Sequence, residues 1–314
     1  ENFNTANPEP IQLIGLKHIN LKKASQKIQE ALTKETGSDL SQQEIDDNIA
    51  ALSKANFVHL HNHTQFSVLQ STTSIPDLVK VAAKHKMKAV AMTDHANMMG
   101  AFHFVQAVSN HNKSVKTTNE EAIENGEEPQ GVEMKPIVGC EFFVCENHED
   151  KSRKDNGYQV VLLAKNKNGY HNLAKMSSTA FVDGFYYVPR IDKKIIQQYK
   201  EDVIVLTGNL YGEVPSKVLN IGEKQAEEAL QWWHEEFGED LYIEIMRHSQ
   251  EDENRVNQVL IEFAKKYGIK TVATNNTYYC EKEDANAHDI LLCVKDGEKQ
   301  ATPIGRGRGY RYGL

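Results

Sequence analysis

The most constraining feature of the sequence is an alternation between short apolar, β-prone runs and longer segments with helical periodicity. Seven runs predict strands, at residues 57–64, 88–95, 135–145, 158–166, 203–209, 241–248 and 270–279. The predicted helices between them include 75–86, 168–179, 222–237 and 251–267. Strands that alternate with helices at this spacing predict an α/β fold with a parallel sheet, and seven units favour a closed or nearly closed barrel over an open sheet, which remains an alternative.

The segments outside this alternation are assigned more simply. Residues 1–55 predict a helical extension, because Ser41 and Glu44 fit a capping box ahead of apolar residues at helical spacing. The segment 111–134 is polar and Glu-rich without periodicity, which predicts a solvated insertion. The barrel is therefore expected at residues 56–283 and a connection toward a further domain at 284–314. Both ends of the chain predict a fragment of a longer protein.

Composition and charge exclude several classes of protein. With 39% hydrophobic and 25% charged residues, the 314-residue chain has the composition of a soluble globular protein. No apolar run approaches the roughly 20 residues of a membrane span, so a cytoplasmic location and no membrane partner are expected. A net charge of −8 disfavours this chain as the main electrostatic contact with nucleic acid. Buried, reduced thiols are predicted for the cysteines, which form no CxxC pair: Cys140, Cys145, Cys280 and Cys293.

The predicted strands end in polar residues, and in parallel α/β folds the chemistry lies beyond these carboxyl ends. The first strand carries His59, His61 and His63 at alternate positions, so they point to one side and two of them can present nitrogens to a zinc-like ion. A bare His-x-His is a weak signal, and the wet face of a strand is the alternative.

Two further strand ends carry ionisable groups. Asp94 and His95 end the second strand. Asp94 can cap the next helix, and His95 can be a buried histidine whose hydrogen bonds are satisfied within the core. Glu141 is more informative, because it lies within an apolar strand. A buried carboxylate needs a partner, and a metal ion or a histidinium can provide it. The remaining polar strand ends are Asn209, Arg247, His248, Asn275, Asn276 and Tyr278.

Seven blocks occur in a fixed order: HLHNHT, AMTDH, KPIVGCEFFV, LLAKNKNGYHNL, LTGNLYGEVP, ATNNTYYCEKEDANAHDILLCV and GRGRGYRYGL. In this order they resemble the polymerase-and-histidinol-phosphatase (PHP) domain of bacterial replicative DNA polymerase III α subunits. The resemblance runs from about residue 56 to the end of the chain. It implies a distorted seven-stranded, TIM-like (β/α)7 barrel, followed in the whole protein by polymerase domains that hold the catalytic aspartates and use Mg²⁺.

The resemblance also implies a set of metal-ligand positions. Metal-competent members of this family bind as many as three ions at the barrel mouth. The positions that keep a ligand here are His61, His63, His95 and Glu141. The positions that carry a replacement are Gln70, Gln159, Asn209, Asn276 and Tyr278. Amides supply no negative charge and bind divalent ions weakly, so a vestigial site for one ion of zinc, manganese or iron is expected. His59 precedes the pair and matches no ligand position.

Three functions are compatible with these residues. The first is a non-catalytic domain of a replicative polymerase that offers a surface to a proofreading exonuclease, separate or fused upstream, while other domains bind the sliding clamp and DNA. The second is an active metal-dependent phosphoesterase or 3′–5′ exonuclease that uses His61, His63 and Glu141. The third is a free-standing histidinol-phosphate-type phosphatase. The replaced ligand positions favour the first function over the second, and the last two blocks disfavour the third.

Overall fold

A computed structural model of the chain describes residues 57–302 except Ser249, together with a few isolated positions between residues 41 and 50. The helical extension predicted at 1–55 lies almost entirely outside the described residues, as does the last part of the predicted C-terminal connection. Within the described residues, none of the helices combines the length and the apolar composition that a membrane span requires.

Seven strands form one sheet in the described part of the chain. They are β1 Ala89–Met92, β2 Lys135–Cys145, β3 Tyr158–Ala164, β4 Arg190–Asp192, β5 Val203–Leu206, β6 Leu241–Ile245 and β7 Lys270–Ala273. Six of the predicted strands are confirmed, whereas β4 had no signal in the sequence. The strand order is β1-β2-β3-β5-β6-β7, with β4 paired to β2.

The prediction of a wholly parallel sheet is wrong at β3. This strand runs antiparallel to both β2 and β5, while the remaining strand pairs are parallel. Residues 146–157 join β2 to β3 without forming a helix, so the chain turns back on itself instead of crossing over the sheet. As a result, the end of β2 and the start of β3 form a hairpin.

The first predicted strand is a connection that closes the barrel and not a strand. Ala91 N donates to His59 O at 2.9 Å on the β1 side, and His63 N donates to Thr277 O at 2.8 Å beyond β7. The side chain of Asn62 donates to the carbonyl oxygens of His59 and Ala91 and so takes the place of ladder hydrogen bonds. Because this connection is hydrogen-bonded on both sides, it joins the two ends of the strand path into a distorted barrel.

Eight α-helices accompany the sheet in the described residues. They are α1 Ile75–Lys84, α2 Ala101–Glu124, α3 Lys167–Val182, α4 Lys193–Tyr199, α5 Glu213–Asn220, α6 Glu223–Phe237, α7 Glu251–Tyr267 and α8 Ala285–Asp296. The predicted helices are confirmed within a few residues at their ends. Ser74 caps α1, since its side chain accepts a hydrogen bond from Asp77 N.

The segment predicted as a solvated insertion, residues 111–134, is mostly exposed as expected, but its first half is helical because α2 continues to Glu124. The buried residues of α2 are Ala101, Phe104, Val108 and Val115. Most of this apolar stripe precedes the polar segment, which therefore has little periodicity of its own. Asn112 holds the chain beyond the helix, donating to Met134 O and accepting from Met134 N, both at 2.8 Å.

The hydrophobic core has two main parts. One fills the space between β2, β3, β5 and β6 and the helices that cover them, and it includes Phe142, Leu162 and Trp233. The other packs α1 and α2 against β1 around Val90 and Phe104. Prediction of buried thiols is confirmed for three of the four free cysteines, whereas Cys280 is half-buried.

Candidate metal centre

The cluster of His61, His63 and Glu141 lies at the barrel mouth, and the solvent-exposed fraction of each side chain is 0%. His61 Nε2 is 2.7 Å from Glu141 Oε2, and His63 Nε2 is 3.0 Å from the same oxygen. One donor atom from each residue lies within 4.8 Å of the other two. These two histidines therefore do not lie on a solvent-exposed strand face, and Glu141 has the partners that its buried position requires.

Asp94 fixes the turn that follows His63. Thr64 N and Thr64 Oγ1 donate to the Asp94 carboxylate at 2.6 and 2.7 Å, and Ser67 Oγ donates to it at 2.6 Å. The next helix begins at Ala101, after Gly100 as its cap. The interpretation of Asp94 as a helix cap is therefore wrong, and its role is to tie the end of β1 to the turn beside the cluster.

The hydroxyl of Ser67 determines which nitrogen of His63 carries a proton. Because its single hydrogen goes to Asp94, Ser67 Oγ accepts a hydrogen bond from His63 Nδ1, 3.2 Å away. In this tautomer His63 Nε2 carries no proton, and it faces Glu141 Oε2 and Asn276 Oδ1, both at 3.0 Å. Electron pairs that face one another in a buried site require a cation between them, either a proton or a metal ion.

His61 lies between two carboxylates. Its Nδ1 is 2.8 Å from Glu244 Oε1, while its Nε2 faces Glu141. Burial lowers the pKa of His61, but the charges of Glu244 and Glu141 and their hydrogen bonds outweigh burial and raise the pKa to about 10. Burial raises the pKa of Glu141, yet the facing imidazoles of His61 and His63 outweigh burial and hold the pKa well below its ordinary value. Glu244 was not predicted from the sequence.

His95 lies beside the cluster, outside its donor set. Its Nδ1 is 3.7 Å from Glu141 Oε1, and its ring stacks on His63 with centroids 4.2 Å apart. Tyr278 also stacks on His63, at 4.2 Å, and its hydroxyl lies 3.2 Å from His95 Nε2. Burial and the neighbouring His63 lower the pKa of His95 to about 3, so this ring is neutral.

Three of the replaced positions make hydrogen bonds away from the cluster. Asn209 Nδ2 donates to Gln159 Oε1 at 2.8 Å, so these two amides pair with each other. The Gln70 side chain accepts from Lys295 Nζ of α8 at 3.1 Å, and its carbonyl oxygen lies 2.8 Å from His288 Nε2. In contrast, the other two replaced positions, Asn276 and Tyr278, contact His63 directly.

The donor set fits one divalent ion. His61 Nε2, His63 Nε2 and Glu141 Oε2 provide two imidazoles and a carboxylate, a combination that zinc sites use. Asn276 Oδ1 adds a neutral oxygen beside them. The Nδ1 atoms of the two histidines are hydrogen-bonded to Glu244 and Ser67, and such outer partners orient metal-binding imidazoles.

Comparison with known proteins identifies the fold in which this cluster sits. The PHP domain family matches residues 59–248, a range that includes all four predicted ligands. The chain belongs to the PHP domain family. This confirms the family predicted from the order of the sequence blocks, and the distorted seven-stranded barrel agrees with it.

Relatives of this PHP domain occur in much longer proteins. DNA polymerase III subunit alpha of Thermus aquaticus is 38% identical over 250 residues, which are 77% of this chain and 19% of that protein. The same subunit of Borreliella burgdorferi is 32% identical over 252 residues, 79% of this chain and 20% of that protein. The chain thus spans about one fifth of the length of these curated relatives. A solved structure of an amidohydrolase from Chromobacterium violaceum, with bound sulfate and no metal, superposes on this chain with a TM-score of 0.44 and 12% sequence identity. The match covers 73% of this chain and 89% of the amidohydrolase chain.

A pH dependence is expected from His248, at the end of β6 in the PHP domain. Its Nδ1 is 2.7 Å from Glu253 Oε1, and its Nε2 is 3.1 Å from Asn275 O. Burial lowers the pKa of His248, but Glu253 and Asn275 outweigh burial and raise the pKa above 6.5. The ion pair therefore contributes stability that is fully present below about pH 6.5 and is lost as the pH rises through the folded-state pKa.

Urea denaturation of the wild type and Glu253→Gln tests this expectation. The difference between their midpoints should be largest below about pH 6.5 and should shrink as the pH rises above that value. Glu251→Gln, an exposed position in the same first turn of α7, is the control and should show no such trend. A difference between wild type and Glu253→Gln that is constant with pH would contradict the ion pair.

Proposed function

We propose that this chain is the PHP domain of a replicative DNA polymerase α subunit, and that its barrel is a structural and interaction module without hydrolytic activity. The observation that carries this proposal is the complete burial of the cluster, with Tyr278 stacked on His63. Metal-dependent hydrolysis needs an open coordination position for water and access for the phosphodiester. A donor set without exposed surface provides no such access.

The proposed module holds at most one divalent ion, through His61, His63 and Glu141. When bound, the ion supplies the positive charge that these converging donors require, and it links the barrel-closing connection to β2. A metal bound only by the folded state stabilises that state. The paired amides of Gln159 and Asn209 support the limit of one ion, because they offer a second ion no negative charge.

Elemental analysis and a hydrolysis assay on the purified full-length protein test the proposal. After dialysis against zinc or manganese, wild type should carry no more than one ion per chain beyond the content of Glu141→Ala. Wild type and Glu141→Ala should also degrade a single-stranded DNA 3′ end at the same rate. Because the comparison is a difference, metal bound elsewhere in the polymerase does not disturb it.

The competing function is a phosphoesterase or exonuclease with a reduced metal centre at the same residues. It requires a water ligand on one ion at these residues and DNA hydrolysis that disappears in Glu141→Ala. Such hydrolysis would overturn the structural module, and two or more additional ions in wild type would overturn the limit of one ion. A single ion without hydrolysis agrees with the proposal, as does a cluster that holds protons alone.

The proposed partners follow from the same assignment. They are the remainder of the α subunit with its Mg²⁺-dependent polymerase domain, a proofreading exonuclease, and the sliding clamp and DNA contacted through other domains. The net charge of −8 supports DNA contact outside this domain. Gel filtration of the full-length protein with the proofreading exonuclease of the same organism should give a complex, and separate elution would contradict the exonuclease contact.

A further inference from the structure

We propose that Glu244 of β6 is the positioning residue that makes His61 a metal ligand, because it holds the His61 proton on Nδ1 and leaves Nε2 for the ion. This inference rests on the proposed function, in which the cluster accommodates one ion. Glu244 matches none of the ligand positions implied by the family resemblance, and it does not belong to the three-residue donor cluster.

Two contacts hold one oxygen of the Glu244 carboxylate, and a third fixes the backbone of the same residue. Glu244 is 2% exposed, and its backbone N–H donates to Thr207 Oγ1 at 3.0 Å. Thr274 Oγ1 donates to Glu244 Oε1, the same oxygen that faces His61 Nδ1 at 2.8 Å. Since this oxygen already accepts a hydroxyl proton, it acts as an acceptor toward His61 as well. A proton on Nδ1 is therefore favoured, and when an ion takes the place of the Nε2 proton, that nitrogen presents its lone pair to the ion.

The other histidines near the barrel mouth support this role by contrast. His63 also has an anchored Nδ1, through Ser67, and it also directs Nε2 at Glu141. The Nδ1 atoms of His59 and His95 have no hydrogen-bond partner among the described residues, and neither histidine belongs to the donor cluster. Among these four histidines, the two whose Nδ1 has a hydrogen-bond partner are the two whose Nε2 faces the Glu141 carboxylate.

Loss of the Glu244 charge should weaken metal binding more than it weakens the fold. Outer carboxylates that bond to metal-binding histidines fix the tautomer and raise the basicity of the ring, and their replacement typically costs 10–100-fold in metal affinity. Glu244→Gln keeps nearly the same volume and can keep an acceptor toward Nδ1. Its effect should therefore come from the lost charge and the relaxed tautomer preference, and not from a cavity.

The experiment is a zinc titration of the metal-stripped full-length protein, followed by calorimetry and corrected with Glu141→Ala for zinc bound elsewhere. We expect Glu244→Gln to raise the zinc dissociation constant about 10–100-fold. Glu213→Gln is the matched control, because Glu213 is also buried but bonds Lys193, Lys217 and Trp233 instead of a histidine. It should lower the urea midpoint of the metal-stripped protein and leave the zinc affinity unchanged.

A second variant keeps the test decisive if Glu244→Gln fails to fold. Thr274→Val removes the hydroxyl bond that orients the carboxylate while Glu244 itself remains, and it should raise the dissociation constant by a smaller factor. If Glu244→Gln folds and binds zinc with wild-type affinity, the positioning role alone is overturned. If Glu244→Gln does not fold, wild-type affinity in Thr274→Val has the same meaning. A wild-type protein that takes up no zinc beyond Glu141→Ala would overturn the positioning role and leave the structural module standing, whereas DNA hydrolysis that disappears in Glu141→Ala would overturn the module itself, which separates the two failures.

Discussion

Replacement of Glu141 by alanine is expected to lower the free energy of unfolding by about 3–5 kcal/mol and to abolish ion binding at the barrel mouth. The carboxylate is fully buried against His61 and His63, and its pKa lies well below the ordinary value. Its removal leaves imidazoles whose converging nitrogens have lost their shared counter-charge. Urea denaturation of the metal-stripped protein measures the stability, and equilibrium dialysis against zinc measures the binding.

Two further variants separate the causes of this loss. Glu141→Gln keeps the side-chain volume and removes the charge, so it should still abolish zinc binding while it restores part of the stability. Glu146→Gln, one residue beyond β2, changes a carboxylate whose side chain is 76% exposed and should cost no more than about 1 kcal/mol. Zinc binding by Glu141→Ala at the wild-type level would show that the ion site lies elsewhere.

The barrel could be predicted because hydrophobic runs and helical periods alternate along most of the chain. The direction of β3 could not, since a buried run such as Val160–Leu163 reads alike in a parallel and an antiparallel strand. The strand β4 could not be recognised because it has three residues, two of which, Arg190 and Asp192, are charged. Short strands depend on tertiary pairing more than on local sequence.

The site was predictable to the extent that charged residues interrupt apolar strands. Glu141 was identified in this way, and Glu244 carries the same signal between Ile243 and Ile245, two apolar neighbours in β6. This signal is ambiguous in the sequence, because a single carboxylate in a short strand also fits an exposed face. The connection to His61 crosses 183 positions of sequence, and only the closed barrel brings them together.

The second large effect is expected at Arg190 of β4, whose side chain is fully buried. Its guanidinium donates to four backbone carbonyls: to Gly184 and Asp155 at 3.0 Å from Nε and Nη1, and to His148 and Asp150 at 3.1 and 3.0 Å from Nη2. One side chain thus fixes the long connection between β2 and β3 to the turn before β4. Arg190→Met keeps an apolar stem and should lower the free energy of unfolding by about 4 kcal/mol, because a buried carbonyl left without a donor costs about 1–3 kcal/mol. The hydrogen bonds to Gly184 and His148 are buried, and those to Asp155 and Asp150 are partly buried.

Arg190→Lys should recover only part of this loss, since a point-like ammonium cannot reproduce the planar fork that reaches carbonyls on several sides. Arg153→Met is the matched control, because Arg153 lies in the same connection with 63% of its side chain exposed and should change stability by no more than about 0.5 kcal/mol. Limited proteolysis should cut residues 146–157 faster in Arg190→Met than in Arg153→Met. Equal cleavage rates and equal urea midpoints in the two variants would mean that the connection is held without Arg190, and the hairpin of β2 and β3 would then owe its position to strand pairing alone.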